Sequence, residues 1–412
     1  MAVTAAFDLE TSQFDATNAF MNTDLNEEVY VPFPEGFRQP GYCLLLVKAL
    51  YGLRQAPRLW HEKFAQTLRS MGLKQAEDEA CLFVNDWLII FFYVDDVIAL
   101  YHRRHRQRWD DFKQSLFKQY EFKDMGEVKW FIGIRVIRDR TQKKLWLCQD
   151  SYIDRIATRF GSPGRTRYRT PLPQDDLTQY VRDPDDPASP EATFGYQQRV
   201  GSGLYSGCLT RPDAARATSH LAEFSANPHD VHINAITRVI DYLKDTRSLA
   251  IQYAAPTPGQ PVFKAYSDSA FADDSITRRS SAGFLITLFG GPIDWKSYKQ
   301  RSVTTSTTEA ELHALTEAAR EVYYWKRIFR DLGLCLNHEI TTGCDNLQTI
   351  RLLTKETPKL FTKLRHVDIK RHWLRQEVQE GRLKVCWIPT NEMPADGLTK
   401  ALSVQQHEKF VK

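Results

Sequence analysis

The 412-residue chain reads as a multi-domain α+β protein, and three observations predict that class. Residues 87–100, WLIIFFYVDDVIAL, are apolar and rich in Val, Ile, Phe and Tyr apart from Asp95 and Asp96, which is the composition of two strands around a tight turn. Composition changes at 161, where Gly, Pro and Asp accumulate and regular structure becomes unfavourable. From 262 onward, strands and helices alternate again in an α/β pattern with a separate set of carboxylates.

A chain of this length has room for two or three domains with buried cores. Hydrophobic content of 42% and charged content of 26% are ordinary for a globular protein, and a net charge of +4 does not by itself announce a nucleic-acid binder. Local clusters say more: His102 to Arg108 (HRRHRQR) and Arg165 to Arg169 suit phosphate contact, and suit a solvated loop face equally well. The seven cysteines show no CxxC and no zinc spacing, and no secretory signal precedes them, so a reducing, non-secreted setting is expected. The longest apolar run is far short of a membrane span.

In chain order, Gln13-Phe14-Asp15 ends a short strand, and Phe20 follows Asp15 by five residues. Residues 24–37 are acidic and then proline-rich, a connection. From Leu44 the chain opens as a strand and turns helical, with Trp60, Phe64, Leu68 and Met71 at helical spacing and Gly72 as the stop. Adjacent Asp95 and Asp96 repel unless a cation sits between them, and hard cations such as magnesium take carboxylate oxygens; a simple polar turn is the alternative. Phe112, Leu116 and Phe117 mark a helix over 109–120, KWFIGIRVIRD and KLWLCQD a strand pair, and Ser151–Phe160 a short helix.

Residues 161–195 form the expected linker, and 196–253 a helical block whose His229, His232 and Asp241 are expected on its surface. Ala254 to Pro261 is a second linker. VFKAYSDSAF is a strand carrying Asp268, followed by two strands with a Gly-Gly-Pro turn between them. The helix beginning near Ser306 presents Leu312, Leu315, Ala319 and Val322 on one face, and Ser306-Thr307-Thr308-Glu309 matches a capping box, so Glu309 has a capping role open to it. Asp345 ends the strand ITTGCDN, and Asp396 heads a short helix after the last strand, LKVCWIP.

At this point a resemblance carries further than spacing. FDATNAFMNTDLNEEVYVPFPEGF, LVKALYGLRQAPRLWHEKF, YVDDVIAL and KDMGEVKWFIGI resemble, in order, the palm of copia-type LTR retrotransposon reverse transcriptases. YSDSAFADDSITRRSSAGFLITLFGGPIDWKSYKQ, TTSTTEAELHAL, CDN, LRHVDIKRHWLRQEV and MPADGLTK resemble the ribonuclease H domain of the same Pol polyproteins. The implied layout is a palm over 1–160, a linker at 161–195, a helical thumb or connection over 196–253, a ribonuclease H-like fold over 262–400 and a tail at 401–412.

The resemblance implies RNA-directed DNA polymerase and ribonuclease H activities. Asp15, Asp95 and Asp96 would bind metal in the first centre; Asp268, Glu309, Asp345 and Asp396 would do so in the second. Phe20 is implied as the sugar filter, Gln55 and Tyr93 as nucleotide contacts, Arg54 as a template or phosphate contact, and the Met125-Gly126-Glu127 region as the grip on the primer end. Two Mg2+ per centre, with Mn2+ as the alternative, would serve two-metal chemistry. RNA template, DNA primer, RNA–DNA hybrid and dNTPs are the implied partners, with room for other Pol-derived or capsid chains and with no membrane. His366 and His372 precede the last strand, where product release or mere packing would suit them equally. The family works in cytoplasmic particles, with the nucleus as the other compartment. Asp15 lies fourteen residues from Met1, so the family's fingers region is expected to be missing. That leaves two further readings: a remnant with ribonuclease H activity alone, and a non-catalytic nucleic-acid-binding relic. An unrelated metal-dependent phosphatase or nuclease would use the acids but not the shared phrases.

Overall fold

The computed structural model describes residues 1–162, 167–183, 185–256, 262–334, 341–354 and 365–412, with backbone alone over 365–371. Arg165, most of the proline-rich stretch ending at Pro261 and the side chain of His366 lie outside the described residues. Two compact units are present: residues 7–131 with 324–335, and residues 1–6, 132–323 and 336–412. The strand pair and short helix assigned from sequence to the first domain thus fall in the second unit.

The first unit is a six-stranded sheet. Its strands are β1 (Glu10–Ala16), β2 (Lys74–Gln75), β3 (Leu82–Val84), β4 (Leu88–Tyr93), β5 (Asp96–Tyr101) and β6 (Phe122–Gly126), in the spatial order β2-β3-β4-β5-β1-β6. Helices α1 (Ala56–Ser70) and α2 (Arg106–Phe117) cover its apolar face. The helical stripe read from sequence is this core: Trp60, Phe64 and Leu68 are buried against Phe14, Phe92 and Tyr120, and burying each such side chain contributes about 1.5–3 kcal/mol.

In the second unit, β7 (Ile134–Asp139) pairs antiparallel with β8 (Lys144–Cys148). Helix α3 (Asp150–Phe160) then leads toward α4 (Pro190–Leu209), α5 (Pro212–Ala222) and α6 (Asp230–Asp245), and β9 (Ile251–Ala254) returns to pair with β8. His232 and Asp241, expected on the surface, are buried. His232 completes a capping box at the start of α6, accepting from the His229 N–H at 3.0 Å, and Asp241 accepts from the Ser162 N–H at 3.0 Å. Both side chains satisfy backbone groups that a buried helix end or turn would otherwise strand.

The rest of this unit is a five-stranded mixed sheet: β10 (Phe263–Ala270), β11 (Ser281–Leu288), β12 (Gly291–Lys299), β13 (Thr341–Cys344) and β14 (Lys384–Trp387), ordered β12-β11-β10-β13-β14. The first three strands are antiparallel, and β13 joins β10 and β14 in parallel. Helix α7 (Thr307–Asp331) packs Leu312, Leu315, Ala319 and Val322 inward, as its periodicity predicts. Helices α8 (Leu347–Thr354) and α9 (Arg365–Gln379) precede β14, and a 3-10 turn (Pro394–Leu398) follows it. The C-terminal segment expected as a tail forms helix α10 (Val404–Val411). Its His407 is buried, bonding the Tyr242 hydroxyl at 2.8 Å, and that hydroxyl donates to Asp213 at 2.6 Å. Arg211 donates twice to the same carboxylate, at 2.9 and 2.7 Å.

Candidate metal and nucleotide centres

In the first unit, strand register brings three carboxylates near one another at adjoining strand ends. β1 and β5 run antiparallel with Asp15 opposite Asp96, and Tyr93 pairs with Asp96 to close a two-residue hairpin of Val94 and Asp95. Val94 has φ of 57°, a left-handed conformation uncommon for a β-branched residue. The Trp60 indole N–H donates to the Val94 carbonyl at 2.6 Å, and the Ala16 N–H donates to the Asp95 carbonyl at 2.9 Å. A strained turn is thus pinned from helix α1 and from strand β1, holding the Asp95 backbone beside the end of β1 that carries Asp15.

Partial burial, then Asp95 and Asp96, push the Asp15 carboxyl above its ordinary value, while Lys123, directly opposite on β6, opposes the shift. Asp96 is raised mainly by burial and secondarily by Asp95, against a 3.5 Å hydrogen bond from Gln13. Phe20 is buried with its ring centroid 4.4 Å from that of Tyr51, and the Tyr51 phenol is pushed up by burial and then by Asp95 and Asp15. Tyr51 therefore joins this centre, although the sequence reading passed over it inside ALYGLRQAP. Gln55 caps the start of α1 through its backbone, Arg54 is exposed, and Tyr93 is 60% exposed on the hairpin. Among the described residues, no contact draws the Arg54 or Gln55 side chain to the carboxylates.

The second centre sits on the mixed sheet. Asp268 is 1% exposed on the central strand β10, and oxygen atoms of Asp268, Asp345 and Asp396 all lie within 4.8 Å of one another. Gly283 lies opposite Asp268 on β11, and its missing side chain lets the turn bearing Asp396 approach: a Cβ there would stand 2.7 Å from the Leu398 Cβ. The Thr399 hydroxyl donates to Asp268, and that of Thr390 to Asp345 at 2.9 Å. The Lys400 ammonium stands 3.3 Å from Asp268 and 2.7 Å from Asp396. Burial alone would lower its pKa, yet the two carboxylates raise it.

Glu309 is not part of this group. Its carboxylate accepts from the Thr305 N–H and hydroxyl at 2.7 and 2.8 Å, and its N–H bonds the Ser306 hydroxyl, so it caps α7. The helical carboxylate that reaches the centre is Glu311, two residues and about 200° further round the helix. It shares a stripe with Leu315 and Val322, and that spacing was the available signal. Glu311 accepts from the Ser269 N–H at 3.1 Å, while its Oε2 has no hydrogen-bond partner among the described residues although the residue is 5% exposed. Burial, then Asp268 and Asp345, push its carboxyl up to about 9. Asp345 is raised by burial and then by Asp268; Asp268 is raised by burial and Asp396, with Lys400 opposing.

Crowded carboxylates, one with a buried oxygen unsatisfied among the described residues, outnumber the single Lys400 ammonium drawn among them. An oxygen donor set of this kind fits a hard divalent cation.

Known proteins resemble the chain along most of its length. A family model described as reverse transcriptase (RNA-dependent DNA polymerase) matches residues 1–174. Along 99% of its length the chain is 34% identical to the retrovirus-related Pol polyprotein from the tobacco (Nicotiana tabacum) transposon TNT 1-94, covering 31% of that polyprotein. It is 30% identical to the corresponding polyprotein of transposon RE1 from Arabidopsis thaliana, covering 27% of it. It is also 30% identical to a transposon Ty5-1 protein of Saccharomyces cerevisiae over 75% of this chain and the whole of that protein. A foamy viral protease-reverse transcriptase, solved with an RNA/DNA hybrid, aligns with 92% of the chain and 44% of its own, at a TM-score of 0.51 and 13% identity, a likeness of fold.

The chain carries a reverse transcriptase domain, matched over residues 1–174, within a multi-domain α+β fold. The chain belongs to the Pol polyproteins of copia-type retrotransposons, and it spans less than a third of the length of the plant polyproteins it matches.

Proposed function

We propose that the chain copies RNA into DNA at its first centre and hydrolyses the RNA strand of RNA–DNA hybrids at its second. The observation that supports this reading is that each unit has its own mutually interacting carboxylates, Asp15, Asp95 and Asp96 in one and Asp268, Glu311, Asp345 and Asp396 in the other. Mg2+ held by these groups would supply activation of the attacking oxygen and stabilisation of the leaving one. The chain itself does the rest. At the first centre, Trp60 fixes the hairpin and so the carboxylate positions, and Phe20 with Tyr51 forms an aromatic wall against the sugar of an incoming dNTP, where a 2′ hydroxyl would collide. At the second, Thr399 and Thr390 orient Asp268 and Asp345, and Lys400 offsets their charge until a substrate complex forms.

The test is a single reaction with Mg2+, a labelled RNA–DNA hybrid and dNTPs, scored for extension and for RNA cleavage. Asp96→Asn should abolish extension and spare cleavage, and Asp268→Asn the reverse. Cleavage without extension in the unaltered chain would reduce the reading to ribonuclease H alone; neither activity from folded protein would leave a non-catalytic binder.

A further inference from the structure

Asp345 belongs to two groups of donors, and the second contains sulfur. The Cys344 Sγ, a Glu311 oxygen and an Asp345 oxygen all lie within 4.8 Å of one another. Cys344 is fully buried at the end of β13, and its thiol donates a weak 4.0 Å hydrogen bond to the Asn346 carbonyl. Among the described residues, no hydrogen-bond partner reaches the Glu311 Oε2, on a residue only 5% exposed, a position that a ligand would satisfy.

We propose that Glu311, Cys344 and Asp345 form a binding site for one thiophilic divalent cation of the zinc and cadmium class, overlapping the hard-cation centre through Asp345 and Glu311. Ligands sharing a tetrahedral ion at about 2.0–2.3 Å stand about 3.6 Å apart, so these atoms need to close by at most about 1 Å, within reach of side-chain rotation. The thiol loses its proton to solvent as the sulfur–metal bond forms. One sulfur and two carboxylates make a donor set that prefers zinc to magnesium, because thiolate is a soft ligand and zinc binds more tightly than magnesium to mixed donors. Occupation draws Asp345 and Glu311 away from Asp268 and Asp396. Resting on the hydrolytic reading above, the consequence is that such ions shut down RNA cleavage in competition with Mg2+.

The test uses the full chain, stripped of metal under reducing conditions, and titrates CdCl2 while following the ultraviolet thiolate-to-cadmium charge-transfer band. Exposed Cys43 and Cys208 contribute too, so the quantity read is the difference between the unaltered chain and Cys344→Ser, with Cys344→Ala as a second variant and circular dichroism to confirm folding. A band component lost in both variants and weakened at least tenfold in Glu311→Gln is the expected result. Equal bands in all forms would overturn the site. In parallel, ZnCl2 is added to the Mg2+-driven cleavage reaction, and each variant is compared with its own zinc-free rate; zinc should inhibit the unaltered chain at least tenfold more strongly than Cys344→Ser. A Cys344-dependent band without RNA cleavage in any form would remove the hydrolytic reading and leave the site standing. Cleavage inhibited equally in both, with equal bands, would do the opposite.

Discussion

Replacing Glu311 by glutamine should make the metal-free protein more stable and the hydrolytic centre inactive. The ordinary carboxyl value is 4.5, and burial with Asp268 and Asp345 raises that of Glu311 to about 9. Between those values the folded chain keeps a proton that the unfolded chain has released. Folding stability therefore falls as pH rises, by about 1.4 kcal/mol per unit, and at pH 7 the loss amounts to roughly 3 kcal/mol. Glutamine cannot ionise, so Glu311→Gln restores about that amount and removes this group's share of the slope. Urea unfolding of metal-free protein from about pH 6 to about pH 9 measures both quantities. Added Mg2+ should stabilise the unaltered chain more than the variant, since it favours the ionised carboxylates. Hybrid cleavage supplies the functional arm, with Glu309→Gln as the control: glutamine still accepts the capping hydrogen bonds, so this variant should keep nearly all its stability and keep cleaving. A Glu311→Gln protein that is less stable than its parent, or that cleaves while Glu309→Gln does not, would refute the assignment.

Three further outcomes follow from the same structure. Asp213→Asn leaves the buried Arg211 guanidinium without its charge partner and should destabilise the second unit by about 3–5 kcal/mol in urea unfolding. Against the upward push of burial, Arg211 and Tyr242 hold Asp213 below the usual carboxylate range, and burial lowers His407. Both folded values are depressed, so this network's stability is lost as pH falls, first below the ordinary histidine range and then below the carboxylate range. Gly283→Ala places a methyl 2.7 Å from the Leu398 Cβ and 3.0 Å from the Lys296 carbonyl. It should cost about 1–3 kcal/mol and lower cleavage by displacing Asp396, with extension unchanged. Trp60→Phe removes the hydrogen bond to Val94 and some buried volume, costing roughly 2 kcal/mol. Its primer extension should fall further than its folded fraction does; a parallel fall of the two would reduce Trp60 to core packing.

Local pattern alone carried a large part of this protein. The β-branched and aromatic run around Asp95 and Asp96 could be little else than a hairpin, and hairpin register places those carboxylates whatever surrounds them. The stripe of Trp60, Phe64 and Leu68 named its own core face, and strand-borne Asp268 and Asp345 needed only the sheet order to meet. What the sequence left open were choices between neighbours and partners distant along the chain. Glu309 and Glu311 differ by about 200° of helix rotation, and only packing against β10 and β13 decides which one faces Asp268. Lys400 reaches Asp268 across 132 residues because Gly283 lets a late turn close onto the sheet. Tyr51 meets Phe20 and the Asp95 field through a loop with no periodicity to read. His232 and Asp241 look like surface residues in a helix read by itself and become buried caps once neighbouring segments fold over them. Short-range sterics and hydrophobic period set the elements; long-range burial, which changes what a charge costs, decided which side chains became the site.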